Sequence, residues 1–171
     1  MFRRRRRCGY KTQSTSFSIG PMNWHAFFAG SEAGPSAGLF PTFTIRFFAN
    51  CAHSATTVAK EHGYSVVITT SSEHPDTEYV EAEQMLQRHV DGLVAIPAQL
   101  RQSRLTRSLF GRTPVVVFDR PVSDPSLDAV LVQNTSGSRH VVEHLIQHGH
   151  KRIDFMGLSL SLYTINARFL G

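Results

Sequence analysis

From Leu39 onward the apolar positions switch between two periods, and each switch marks an element. Phe48, Cys51, Ala52, Ala55, Ala59 and His62 share one face at helical spacing, and Gly63 follows as a C-terminal stop. Tyr64 to Thr69 is a β-branched run of strand length. Pro75 and Asp76 open a second helix. Asp76, Glu78 and Glu81 suit its positive N-terminal end, and Tyr79, Ala82, Leu86 and Val90 are expected on its apolar face. Asp91-Gly92 turns into a strand from Leu93 to Ile96, closed by Pro97, and Leu105 and Leu109 suggest a short third helix. Pro114 introduces a strand from Val115 to Phe118, and Ala129 to Val132 is another. Gly137 to Gln147 predicts a helix with Val141, Val142, Leu145 and Ile146 buried, ended by Gly149. Ile153 to Met156 reads as a last short strand, followed by the start of a further helix.

Helix and strand thus alternate, and the strands are continuously apolar instead of alternating. Strands buried on both faces belong to a parallel sheet covered by helices, so the expected class is α/β, doubly wound. Residues 1–37 are different material. Ser, Gly and Pro are scattered there among the isolated aromatics Trp24, Phe27 and Phe28, with no sustained period. That segment is unassigned and expected to be a disordered basic leader.

Composition sharpens this division. The 171 residues are 41% hydrophobic and 18% charged, which excludes a disordered tail, and no apolar run is long enough for a spanning helix. The net charge of +5 invites a nucleic-acid reading. Of the 18 basic side chains, however, six lie in residues 1–11 (Arg3 to Arg7 and Lys11), and all 13 acids lie beyond. The body is therefore nearly neutral and the basicity is local. Polar residues follow Arg7 where a signal peptide would be apolar, so export is not expected. Two cysteines, Cys8 and Cys51, make no disulfide framework and point to a reducing compartment.

Several segments carry a resemblance when taken in order. They are Pro41 to Ala49 with Phe47-Phe48, Glu61-His-Gly-Tyr64, Val90-Asp-Gly-Leu93, and Pro114-Val-Val-Val-Phe-Asp119-Arg120-Pro121. Asn134-Thr-Ser-Gly137 and His144-Leu-Ile-Gln-His-Gly149-His150-Lys-Arg-Ile153 complete the series. Over residues 38–171 it resembles the effector-binding core of the lactose-repressor (LacI/GalR) family of transcription regulators. The resemblance implies a periplasmic-binding-protein-like type I fold, here incomplete. Residues 38–132 would be the N-terminal effector-binding subdomain, and 133–171 the start of a truncated second one. Residues 1–37 resemble neither the family's helix-turn-helix headpiece nor its hinge helix. Ile45-Arg46 stand where Asn-Pro is usual, and Gln133 where Asp is common.

In an open parallel sheet, ligands bind beyond the carboxyl ends of the strands, which makes Thr42, Thr70, Ser71, Ala98, Asp119 and Arg120 the candidates. A sugar-like ligand needs charged groups for its adjacent hydroxyls and an aromatic face for its C–H surface. Asp119 and Phe47 fit those roles, and the resemblance puts both at ligand-contacting positions. Asp119 could otherwise be a plain turn residue before Arg120-Pro121, and Phe47 plain helix-start packing beside Phe48. Arg168-Phe-Leu-Gly171 resembles the family's Arg-x-x-Gly, whose arginine reaches into the cleft; the alternative is a solvated arginine on a final turn. The ligand-binding set is therefore Phe47, Thr70, Asp119, Arg120 and Arg168.

His140, His144 and His148 share a helical face, but no Cys or Asp completes a zinc set, so no metal and no cofactor is expected. The sequence holds neither Gly-x-Ser-x-Gly nor Gly-x-Gly-x-x-Gly, and catalysis finds no support. The function expected from the resemblance is the sensor part of a cytoplasmic regulator. Its effector is expected to be a small carbohydrate, and it would act as a homodimer on operator DNA through a headpiece, without a membrane. The alternative, sharing the fold, is a periplasmic sugar-binding protein of an ABC transporter.

Overall fold

A computed structural model describes residues 2–5 and 34–171. Six strands form one sheet: β1 (Phe2–Arg5), β2 (Pro35–Phe40), β3 (Ser65–Thr70), β4 (Gly92–Ala95), β5 (Val115–Phe118) and β6 (Asp128–Val132), in the order β1-β6-β5-β4-β2-β3. The helices are α1 (Arg46–Glu61), α2 (Pro75–Gln87), α3 (Arg107–Phe110), α4 (Asn134–Gln147) and α5 (Tyr163–Phe169). Strands β2 to β6 are parallel, with Phe40 opposite Thr70, Leu39 opposite Ala95, Ala95 opposite Val117 and Phe118 opposite Val130. The expected class, an α/β doubly wound parallel sheet, is what the chain forms. The strand order reverses between β2 and β4, which makes their carboxyl ends the natural ligand crevice.

Alternate residues of each strand feed two cores, as the pleat requires. On one face Phe40, Val94, Ile96 and Phe118 meet Phe48, Ala52, Ala55 and Ala59 of α1. On the other, Leu39, Leu93, Ala95, Val115 and Val117 meet Ala82 and Met85 of α2 and Phe110 of α3. Small alanines on α1 let that helix lie close over the sheet while Phe40 and Phe118 supply the bulk. Helix α1 stops where the glycine said it would, with Gly63 at φ 82°.

Four expectations need correction. The first strand of the parallel sheet begins at Pro35, inside the segment left unassigned, because Ser36 and Ala37 are small enough to sit buried in the sheet despite lacking a strand-like pattern. The buried face of α2 is Glu78, Ala82 and Met85, not a face led by Tyr79; a carboxylate occupies the core side because the loop after β4 supplies its donors. Along α4, Val141, Val142 and Ile146 are exposed, since no strand of the described sheet passes beneath them. Residues 153–156 form no strand, and no described strand pairs with them; Phe155 and Met156 are exposed. Most of the leader, Met1 and residues 6–33, lies outside the described residues, and with it the question of its disorder. Within it, β1 pairs antiparallel with β6, Phe2 facing Val132 and Arg5 facing Ala129. A run of arginines hid that strand, but edge pairing uses only backbone groups.

Candidate functional site

The carboxyl ends of β2, β3, β4 and β5 bring together most of the residues singled out from the sequence. Asp119 follows β5 directly. It holds a left-handed backbone at φ 64°, a conformation Asp tolerates better than most residues, and its N–H donates to the Val130 carbonyl at 2.9 Å. Its side chain is buried, yet among the described residues its ionic partner is the Arg120 Nε, 3.8 Å away and beyond hydrogen-bond reach. Burial pushes the Asp119 carboxyl above the ordinary range, the guanidinium groups of Arg120 and Arg168 pull it back, and Glu73 pushes it up. An acceptor group therefore stands at the crevice with its lone pairs unspent.

Phe47, in the first turn of α1, is 42% exposed. Its ring stacks on Phe118 at 6.1 Å between centroids and meets Phe48 edge-on at 5.3 Å. Both readings of it hold at once: one face packs, and the rest is open. Arg168 projects from α5, exposed at the surface, and its Nε donates to Asn134 Oδ1 at 2.7 Å. The glycine three residues later has a steric reason. A Cβ on Gly171 would lie 2.1 Å from the Thr135 carbonyl oxygen, so only glycine lets the end of α5 approach the start of α4.

Thr70 and Arg120 are engaged by the protein itself. The Thr70 hydroxyl donates to the Pro41 carbonyl at 3.1 Å and accepts from the Ser72 N–H. Arg120 is 3% exposed and spends both terminal nitrogens internally. Nη1 donates to Glu73 Oε2 at 2.6 Å and to the carbonyls of Pro97 and Ala98; Nη2 donates to Glu73 Oε1 at 3.0 Å. Among the described residues its Nε has no hydrogen-bond partner, nor has the buried hydroxyl of Ser71.

Sequence reasoning missed three residues here. Glu73 sits at φ 62° directly after Ser72 at φ 51°, a pair of left-handed residues that turns the chain after β3 and swings the carboxylate onto Arg120. Glu78 is fully buried; it accepts from the Ala98 N–H at 2.7 Å and from the Ser103 hydroxyl, pinning the loop after β4. Cys51, one turn beyond Phe47, has its thiol pushed up to about 11, by burial first and then by the Asp119 charge, which places it on the same wall. Helical spacing had put Cys51 on this face; nothing local identified the two glutamates. On α4, the rings of His144 and His148 lie 4.1 Å apart, and His148 Nδ1 donates to the His144 carbonyl at 2.8 Å. Among the described residues no group of three or more His, Cys, Asp or Glu is placed to hold a metal.

The raised Asp119 carboxyl has a consequence for stability. Over the pH window between its ordinary value and its raised one, the folded chain holds a proton that the unfolded chain has released. The associated stability is present at lower pH and is lost as pH rises through the raised value. Asp119→Asn removes that dependence. Urea melts at about pH 3, below the ordinary carboxylate value, and at pH 8 are expected to show wild type losing more stability across that interval than the variant; equal losses would contradict the burial argument.

Comparison with known proteins adds the lineage. The family described as periplasmic binding proteins and the sugar-binding domain of the LacI family matches residues 39–171. The chain is similar to the HTH-type transcriptional repressor PurR of Mannheimia succiniciproducens, 25% identical over 126 residues, covering 73% of this chain and 38% of that protein. It is also similar to the ribose operon repressor of Halalkalibacterium halodurans, 29% identical over 111 residues, covering 65% of this chain and 32% of the repressor. Among solved structures, a Burkholderia thailandensis protein whose proposed role is ribose operon repressor superposes with a TM-score of 0.71 at 29% identity, over 81% of this chain and 53% of that one. The chain thus spans about a third of the length of these curated relatives.

Proposed function

The chain belongs to the family of periplasmic binding proteins and LacI-family sugar-binding domains, and from that premise we propose that it senses a small carbohydrate at the crevice beyond β2, β4 and β5. In this reading residues 38–132 are the N-terminal effector subdomain and 133–171 begin the second. Asp119 accepts from ligand hydroxyls, Phe47 offers its open ring to the C–H face, and Arg168 approaches from the second subdomain. Thr70 and Arg120 hold the wall from behind. One observation carries the reading: a buried carboxylate, without a hydrogen bond to its side chain among the described residues, stands at the carboxyl end of β5, beside the crevice where the sheet order reverses between β2 and β4. Buried acceptors are normally satisfied, so one left open at a crevice marks a place for a ligand or solvent donor.

The curated relatives are transcriptional repressors, which favours a regulator over a transport protein. The sensor would close its subdomains on the effector, alter a dimer's hold on operator DNA through a headpiece, and work in the cytoplasm without catalysing a reaction. Recovery of the protein from the periplasm with a cleaved leader would refute this location.

Titration of the chain joined to a homologous second subdomain, with a panel of mono- and disaccharides, tests the site. At least one sugar is expected to bind and to raise the unfolding temperature. Phe47→Ala is expected to weaken it about tenfold, the value of one aromatic stacking contact, while stability falls less than for a fully buried ring because 42% of the residue is exposed. If no sugar binds, the carbohydrate reading fails. If Phe47→Ala costs stability and not affinity, Phe47 is packing alone.

A further inference from the structure

The Glu73–Arg120 pair poses a question of charge placement. Asp119 and Arg120 are neighbours in sequence, both buried, and opposite in charge, yet they do not close on each other: Nε to Oδ2 is 3.8 Å. A buried guanidinium next to a buried carboxylate ordinarily collapses into a short bidentate pair. Here the guanidinium turns away. Its two terminal nitrogens grip Glu73 at 2.6 and 3.0 Å and the carbonyls of Pro97 and Ala98, and only the lone Nε, without a partner, is left toward Asp119. Glu73 reaches this position from another loop, on a left-handed backbone, and its side chain is one-third exposed while that of Arg120 is almost entirely covered.

We infer that Glu73 is a positioning residue that competes with Asp119 for Arg120 and so keeps the Asp119 carboxylate free for the ligand. This rests on the proposed role of Asp119 as acceptor and goes beyond it. The specificity of the site is set by a residue that touches no ligand. With Glu73 removed, the guanidinium loses its bidentate partner, and the nearest carboxylate left to it is Asp119. Closing the remaining gap would occupy the oxygens that ligand hydroxyls need. The ligand would then have to break an internal ion pair in order to bind.

The experiment separates this from ordinary loss of structure. A crystal structure of the Glu73→Ala chain is expected to show Arg120 within hydrogen-bond distance of Asp119, and sugar affinity is expected to fall by about tenfold or more, the value of a charge-assisted hydrogen bond. In Glu73→Ala with Arg120→Gln, the neutral amide still donates to carbonyls but forms no ion pair, and the double variant is expected to bind sugar more tightly than Glu73→Ala alone. A merely structural Glu73 would make the double variant worse than the single one. That result overturns the inference, as does a Glu73→Ala structure in which Arg120 stays on Pro97 and Ala98. Should Glu73→Ala fail to fold, Glu73→Gln keeps one arm of the grip and is read in the same way. Should no sugar bind the joined chain without these substitutions, the functional reading fails, while the Arg120–Asp119 distance still decides this one.

Discussion

Glu78→Ala is expected to cost about 3–5 kcal/mol of stability, enough to leave the chain barely folded. The side chain is fully buried, and both of its oxygens are acceptors in use, for the Ala98 N–H and the Ser103 hydroxyl. Removing it strands the buried Ala98 N–H and takes away the partner of the half-buried Ser103 hydroxyl, and an unsatisfied buried donor costs roughly 1–3 kcal/mol. The volume of the lost carboxymethyl group adds a cavity beside Ala82 and Met85. A domain has only about 5–15 kcal/mol in total. Glu78→Gln should be far milder, because the amide oxygen still accepts from Ala98 and the amide nitrogen can donate to Ser103. Removal of an exposed acid of similar size, Glu61→Ala, is expected to change stability by under about 0.5 kcal/mol. Urea midpoints of the three variants check this. If Glu78→Ala unfolds no more easily than Glu61→Ala, the loop after β4 is held by something other than this carboxylate.

Glu78 also shows where sequence reasoning stops. A glutamate in the first turn of a helix has a ready explanation in the helix dipole, and that explanation was sufficient to hide its burial. What makes burial tolerable is a pair of donors 20 and 25 residues away, and no local pattern carries that information. The same limit appears on α4. Its apolar period is real, but Val141 and Ile146 stand exposed because burial depends on a second surface, and none of the described strands supplies one. Residues 153–156 have strand composition but pair with none of the described strands, so composition alone did not make a strand. Where the fold was legible, the reason is local chemistry. Pro114 before a β-branched run, Gly63 after an alanine-rich face, and Pro75 at a helix start each act within a few residues of where they stand. Asp119 was legible because a strand end fixes its place in the crevice. Glu73 was not, since its position depends on two consecutive left-handed residues with no glycine to announce them.

Asp119→Asn is expected to weaken sugar binding about 100-fold and, at neutral pH, to leave the fold as stable as before or more so. Asn is the informative replacement: it keeps the volume, and it tolerates the φ of 64° that would strain an alanine. What it removes is the charge and one acceptor. A hydrogen bond to a charged group is worth roughly 1.5–3 kcal/mol, and adjacent hydroxyls would place two on this carboxylate, so a loss near 2.7 kcal/mol, or about 100-fold, is the conservative figure. Stability moves the other way because the wild-type carboxylate is desolvated without a hydrogen bond to its oxygens from the described residues, and the amide carries no charge to desolvate. A residue kept for folding loses stability when it is changed; one kept for a ligand sacrifices stability in its native form. Calorimetric titration and urea melts on the same preparations measure both signs. If Asp119→Asn binds as tightly as wild type, the acceptor lies elsewhere in the crevice. If it loses stability along with binding, Asp119 is a turn residue whose hydrogen-bonding partner must be found within the protein.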